Sequence, residues 1–247
     1  MFPTYPDLNG RTALVTGASS GIGRGIAQAL LAQGMRVGVH YNRQRAEAEQ
    51  VGGAPLQAEL GDEAGCVRLA HAALEALGGV DLLVHSAGIY NQGPIDSLSA
   101  QALEEMFRVN TFSAFYLVRA LFAHLRNAVF IGSTAGQRGE PGHSHYAASK
   151  GALQSMVLSL AVELAPRVRV NLVSPGWVRT PMAEEALKRM GPALIATLPN
   201  RRVAEVDDVA NAVLYLASDA SSHLLGQDLC VSGGALLVVP RGQVKPA

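Results

Sequence analysis

TALVTGASSGIGRGIAQALLAQGMRVGVHY, residues 12–41, is the stretch on which the reading of the whole chain turns. A β-branched and apolar run (TALVTG, 12–17) leads into a helix-like stretch (GIGRGIAQALLAQ, 21–33) and then a second apolar run (MRVGVHY, 35–41). That succession predicts a strand, a crossover helix and a parallel strand. Outward from it, strands are expected at PLQAEL (55–60), VDLLVHSAG (80–88), AVFIGS (128–133), VRVNLVSPG (168–176) and GQDLCVSGG (226–234). Helical patterns fall between them around 62–77, 99–125, 146–164 and 205–217.

This alternation predicts the α/β class: one domain over 1–247, a Rossmann-like doubly wound parallel sheet with helices on both faces. The composition agrees, with 49% hydrophobic residues but only 5% aromatic ones, as suits buried parallel strands under tightly packed helices. Each strand ends in small or polar residues, namely Thr16-Gly17, Ser86-Ala87-Gly88, Gly132-Ser133 and Ser174-Pro175-Gly176. Ligands of such sheets bind outside the carboxyl ends of the strands. The segment 177–204, interrupted by Gly191-Pro192 and Pro199, reads equally as a lid or as a packed surface helix pair.

Twenty basic residues balance twenty acidic ones, so no net field gathers nucleic acid or an anionic membrane. No stretch approaches the ~20 apolar residues that span a bilayer, and the beginning of the chain lacks a basic patch followed by an apolar run. A cytoplasmic protein is expected. The two cysteines, Cys66 and Cys230, show no metal-ligand spacing and are expected to be buried thiols.

Thr16-Gly17-Ala18-Ser19-Ser20-Gly21-Ile22-Gly23 follows a strand and opens a helix, with the spacing GxxxGxG. Glycines there permit a tight turn and let backbone approach a pyrophosphate at the helix N-terminus. An NAD-selective site usually carries a carboxylate at the end of the second strand, for the ribose 2′-hydroxyl. Tyr41 holds that place, no acidic residue occurs from Arg24 to Ala46, and Asn42-Arg43 follows directly. Arg24 and Arg43 would favour a 2′-phosphate, so NADP(H) is expected over NAD(H).

Gly132-Ser133-Thr134 closes a strand, and Tyr146-Ala147-Ala148-Ser149-Lys150 opens a helix thirteen residues after Ser133. Tyr146 and Lys150, four apart, share a helix face. A phenol titrates near ~10 and needs a neighbouring positive charge to exchange protons at neutral pH, which Lys150 is placed to supply. Ser133 is placed to hold a substrate oxygen.

Together these motifs resemble those of the short-chain dehydrogenase/reductase family, over nearly the whole chain from about Arg11 to Gly234. The resemblance rests on Thr16, Gly17, Gly21, Gly23, Ala87-Gly88, Asn110, Ser133, Tyr146, Lys150, Pro175-Gly176 and Thr180. It implies a hydride transfer between nicotinamide and a small carbonyl or alcohol substrate. Tyr146 would be the general acid or base, Lys150 would lower its pKa and hold the nicotinamide ribose, and Ser133 would position the substrate oxygen. Asn110 would anchor a water in the proton relay, and Thr180 would grip the carboxamide. Ser19, Ser20 and Ile22 of the loop, Glu59 and Leu60 near the adenine, and Val178 complete the implied cofactor set. The family implies a homotetramer built on the helices around 99–125 and 146–164, and the apolar run in GGALLVVPRGQVKPA suits either a subunit contact or a strand end.

Where the family usually has Asn-Asn-Ala-Gly, this chain has His85-Ser86-Ala87-Gly88. Members that reduce 3-oxoacyl groups on acyl carrier protein resemble it in length, and Arg126 and Arg167 are candidates for an acidic carrier. A sugar or secondary-alcohol dehydrogenase, or a silent cofactor-sensing protein, are the alternatives. His143 and His145 are expected to line the pocket mouth rather than hold zinc, which normally takes three protein ligands in a catalytic site. Trp177, Tyr90 and Met182 are candidates for an apolar pocket wall.

Overall fold

The computed structural model describes residues 2–237. Seven strands form one sheet: β1 (Thr12–Val15), β2 (Arg36–Tyr41), β3 (Ala54–Gln57), β4 (Leu82–His85), β5 (Asn127–Ile131), β6 (Arg169–Pro175) and β7 (Asp228–Val231). Their order is β3-β2-β1-β4-β5-β6-β7, and every neighbouring pair is parallel. All residues of β1, β4 and β5 are buried, as strands covered on both faces must be. Alternation along β1 sends Ala13 and Val15 to one face and Leu14 to the other. The first face is covered by α1 (Gly21–Ala32) and α9 (Val206–Ala217); the second by α3 (Glu63–Leu77), α5 (Ser113–Leu121) and α7 (Ser144–Leu164). Local signals set the ends of α3: Asp62 Oδ1 accepts from the N–H of Gly65 at 2.7 Å, and Gly78 terminates it at φ 71°.

The remaining helices are α2 (Arg45–Glu49), α4 (Ala100–Phe107), α6 (Thr134–Arg138) and α8 (Glu184–Thr197). Two expectations need correction here. The helix expected through 99–125 is divided into α4 and α5 by a π turn over Arg108–Phe112. Within that turn the buried Asn110 reaches across to the backbone of Ile89, and from the first residue of α5 Ser113 Oγ donates back to Val109 O at 2.6 Å. An extra residue in the turn is a common way for a helix to re-aim a functional side chain. Conversely, Gly191-Pro192 does not interrupt α8, which runs through Pro192. Of its 14 residues Gly191 alone is buried, so little packing is lost where the proline withholds its N–H.

The thiols also differ from each other. Cys66 lies in the core, whereas Cys230 is exposed on the edge strand β7. The C-terminal apolar run continues past Leu237 and there lies outside the described residues.

Candidate active site

Strands β1, β3, β4 and β5 end two or three residues before the expected runs do, because the residues that follow leave the sheet to build a cavity. The cavity has a volume of about 690 Å³. At its base, Thr16 Oγ1 accepts from the N–H groups of Ser86 and Ala87, at 3.0 and 2.9 Å, joining the ends of β1 and β4. Gly17 sits at φ +63°, and a Cβ there would lie 2.9 Å from Ala87 Cα. Gly21 has φ +54°, and a Cβ on Gly23 would lie 2.3 Å from the Gly17 carbonyl oxygen. This close backbone turn delivers the start of α1 to the cavity, where Ser20 caps it without a side-chain hydrogen bond. Free N–H groups at a helix N-terminus, approached by glycine backbone, are the geometry a pyrophosphate needs. The cradle therefore fits a dinucleotide.

Gly17, Ser19, Ser20, Gly21, Ile22 and Gly23 all line the cavity. So do Tyr41, Asn42 and Arg43 after β2, Glu59 and Leu60 after β3, and Ala87 and Gly88 after β4. Pro175, Gly176, Val178 and Thr180 after β6 do the same. Arg24 does not. It projects from α1 between Gly23, which faces Gly17, and Gly25, which packs against Val206 of α9. Arg43 is on the wall and makes no ion pair with another described residue.

Sequence reasoning missed His40. Its Nδ1 accepts from the N–H of Gly17 at 3.0 Å, while Nε2 lies 3.2 Å from Ala58 O and therefore carries the proton. Burial pushes its pKa from 6.5 down to about 4, although the Ala58 bond opposes this. The unfolded chain takes up a proton near pH 6.5 and the folded chain resists it until about pH 4, so the fold loses stability as pH falls through that window and is unaffected above it. At pH 5 the loss from this one group is about 2 kcal/mol, on the scale of 1.36 kcal/mol per pKa unit. Thermal melting of wild type and His40→Asn at pH 7.5 and 5 checks this: the wild type should lose more between the two pH values, and equal losses would remove the assignment.

Ser133 caps α6, and its Oγ accepts from the N–H of Ala135 at 3.1 Å. Tyr146 and Lys150 project from the first turns of α7, and all three line the cavity. Lys150 is 6% exposed, and its Nζ donates to Ile131 O at 2.8 Å. Burial lowers its pKa to about 8. The Tyr146 phenol is instead raised to about 12, chiefly by burial and further by the charge of Glu140, with Ser133 hydrogen-bonding against that trend. Thus the ammonium is turned to a backbone carbonyl, and the expected lowering of the phenol by Lys150 does not govern this arrangement.

Asn110 is wholly buried behind the wall rather than on it. Its Oδ1 accepts from Ile89 N–H at 2.8 Å, and its Nδ2 donates to Ile89 O at 3.1 Å and to Ser149 Oγ at 3.0 Å. A Cβ on Gly88 would lie 3.3 Å from Asn110 Oδ1 and 3.4 Å from Lys150 Nζ, so both polar ends converge there. The substituted His85 supports the same turn, since its Nε2 lies 2.7 Å from Ser113 Oγ, which in turn donates to Val109 O. Burial keeps this imidazole neutral, with a pKa lowered to about 3.

Trp177, Tyr90 and Met182 do line the cavity. His143 and His145 do not, which corrects their expected place at its mouth. His143 stacks on Tyr90 at 4.5 Å, and His145 is buried beneath Gly93. Helix geometry explains the latter, because His145 is adjacent to Tyr146 and so faces another side of α7. Arg126 and Arg167 precede β5 and β6 and sit at the amino ends of the strands, away from the cavity. There Arg126 pairs with Asp81, and Arg167 donates to Phe122 O. Glu105, Arg138 and Glu140 line the cavity without having been singled out in the sequence, where nothing in their spacing marks them.

A family model described as Enoyl-(Acyl carrier protein) reductase matches residues 17–235. The L-xylulose reductase of Bos taurus is 39% identical, with 93% of this chain and 98% of that protein aligned. The 3-oxoacyl-[acyl-carrier-protein] reductase FabG of Escherichia coli is 32% identical over 94% of this chain and 100% of its own. The crystal structure of a short-chain dehydrogenase/reductase, glucose/ribitol dehydrogenase, from Brucella melitensis superposes with a TM-score of 0.91 at 32% identity, covering 96% of this chain and all of that one. With a glycine cradle and a Ser-Tyr-Lys set meeting in one cavity, the chain belongs to the short-chain dehydrogenase/reductase family, oxidoreductases that act on carbonyl and alcohol groups with nicotinamide cofactors.

Proposed function

We propose that the protein is an NADP(H)-dependent reductase of small carbonyl compounds, working also on the corresponding alcohols. The carrying observation is the meeting of Tyr146, Ser133 and Lys150 on the wall of the cavity that the glycine cradle opens into. The nicotinamide supplies or takes the hydride when bound. Ser133 hydrogen-bonds the substrate oxygen, and Tyr146 O–H gives it a proton as negative charge develops there. The phenol carries its proton at neutral pH, as an acid in the reductive direction must, while burial makes it slower to give that proton up. Lys150, with Asn110 and Ser149 behind it, would hold the ribose side and return the proton to Tyr146. Thr180, whose side chain is close enough to the glycine turn that a Cβ added at Gly21 would lie 3.6 Å from it, would hold the carboxamide side.

NADP(H) is favoured by Arg43 and Asn42 at the ribose end, with Tyr41 where a carboxylate would select NAD(H). Titration with both cofactors and turnover of 3-oxoacyl thioesters, simple ketones and sugars test the reading together. A kcat/KM at least tenfold higher with NADPH is expected, and a tenfold preference for NADH would overturn it. NADPH binding without turnover of any carbonyl would point to the cofactor-sensing alternative. A 3-oxoacyl thioester is one candidate substrate; carrier docking through Arg126 and Arg167 has lost its support, because they lie at the other end of the sheet.

The working form proposed is a cytoplasmic homotetramer. No helix among the described residues is long and apolar enough to cross a membrane. Phe112 and Phe115 at α5, Phe122 after it, and Leu158 and Val162 on α7 are exposed apolar side chains, on the helices that would pair between subunits. Light scattering should read the mass of four chains, and a monomer would refute the assembly.

A further inference from the structure

Beside Tyr146, the cavity wall carries a built arrangement that proton transfer does not use. Tyr90 O–H donates to Glu140 Oε1 at 2.9 Å. The Tyr90 ring is stacked on His143 with an interplanar angle of 4°, and stands edge-on to Tyr146 with centroids 4.8 Å apart. Glu140 is thus held by a side chain that is itself clamped on two sides. Its charge reaches the reacting end of the cavity, for it raises the pKa of both phenols, after burial in each case. Arg138 is on the same wall, and neither it nor Glu140 has an ion-pair partner among the described residues.

We propose that Glu140, oriented by Tyr90, is the specificity-determining residue of this cavity and that, with Arg138, it selects neutral polyhydroxylated carbonyl compounds and the matching polyols. The inference rests on the reductase reading above. A carboxylate only accepts hydrogen bonds and a guanidinium only donates them. Tyr90 occupies one position on Glu140, leaving the others to be met by donors. Hydroxyls on the carbons beyond the reacting one meet both needs, since a hydroxyl can donate to Glu140 or accept from Arg138. A hydrocarbon chain would displace water from both charges and replace none of its bonds. A substrate of either sign meets one of these two groups with like charge and the other with opposite charge, so the pair gives neither an anion nor an ammonium the advantage that a neutral hydroxylated compound draws from both.

The test compares a neutral ketopentose with a hydroxyl-free ketone of the same chain length, using wild type, Glu140→Ala, Glu140→Gln and Tyr90→Phe. Calorimetric titration of each protein with a pentitol, and thermal melting, accompany the kinetics. Wild type should favour the ketopentose in kcat/KM. In Glu140→Ala that ratio should fall at least tenfold, through KM, and pentitol binding should weaken by a similar factor. Glu140→Gln, which keeps one acceptor, should fall between, and Tyr90→Phe should erode the ratio by loosening the carboxylate. Equal losses on both ketones would make Glu140 a tuner of Tyr146 or a structural residue and overturn the proposal. A wild-type preference for the hydroxyl-free ketone, a 3-oxoacyl thioester or a carboxylate-bearing ketone would also overturn it. If neither ketone is turned over although NADPH binds, the reductase reading falls, and the pentitol titration alone then decides for or against Glu140.

Discussion

Tyr146→Phe should lower kcat for carbonyl reduction by about a thousandfold, within the 10²–10⁴ range of a positioned general acid. The change removes one oxygen from a half-buried side chain whose ring packs edge-on against Tyr90, so the packing survives. What disappears is the phenolic O–H that stands beside Ser133 on the cavity wall. Lys150 does not take its place, because its Nζ donates to Ile131 O and its part is to resupply Tyr146 rather than to reach the substrate oxygen. The loss should appear in kcat, while the NADPH dissociation constant read from cofactor fluorescence shifts by less than threefold, since the phenol does not build the glycine cradle. Activity of Tyr146→Phe within threefold of wild type would mean that another group donates the proton.

Gly23→Ala should weaken NADPH binding by a hundredfold or more. The reason is steric. An added Cβ would stand 2.3 Å from the Gly17 carbonyl oxygen and 2.8 Å from its carbon, both backbone atoms that no rotamer change can clear. The loop must open, and with it the alignment of the α1 N-terminus on the pyrophosphate. Gly17 cannot yield easily, since its N–H is held by His40 and its Cα region abuts Ala87. Gly191→Ala is the control, because a Cβ there meets nothing within 4 Å and lies far along the chain in α8. Fluorescence titration of both variants, with melting curves to establish that each is folded, measures the effect. An unchanged dissociation constant in Gly23→Ala would remove the loop from the binding site.

These two variants also mark where sequence and tertiary structure divide the information. Gly17, Gly21 and Gly23 are legible in the chain because a tight strand-to-helix turn restricts residue type at fixed spacing. Tyr146 and Lys150 are legible for a similar reason, being four residues apart on one helix. The alternation of seven apolar strand runs with five helical patterns, a local property, determined the fold class and the succession of its parts along the chain without any knowledge of contacts.

What the chain alone could not decide is everything set by which side chains meet across the sheet. Lys150 reads as the charge that would lower Tyr146, yet its Nζ lies on Ile131 O, nineteen residues away in sequence. His40 reads as an ordinary strand residue, yet it ties the glycine loop to Ala58. Arg24 follows the loop directly, yet helix rotation carries it off the cavity wall, while Arg138 and Glu140 come onto it with no signal in their spacing. Spacing along a strand or helix determines direction only within that element. The pKa values, the cavity wall and the substrate contacts depend on burial and on partners from other elements, and these came into being only when the sheet brought its strand ends together.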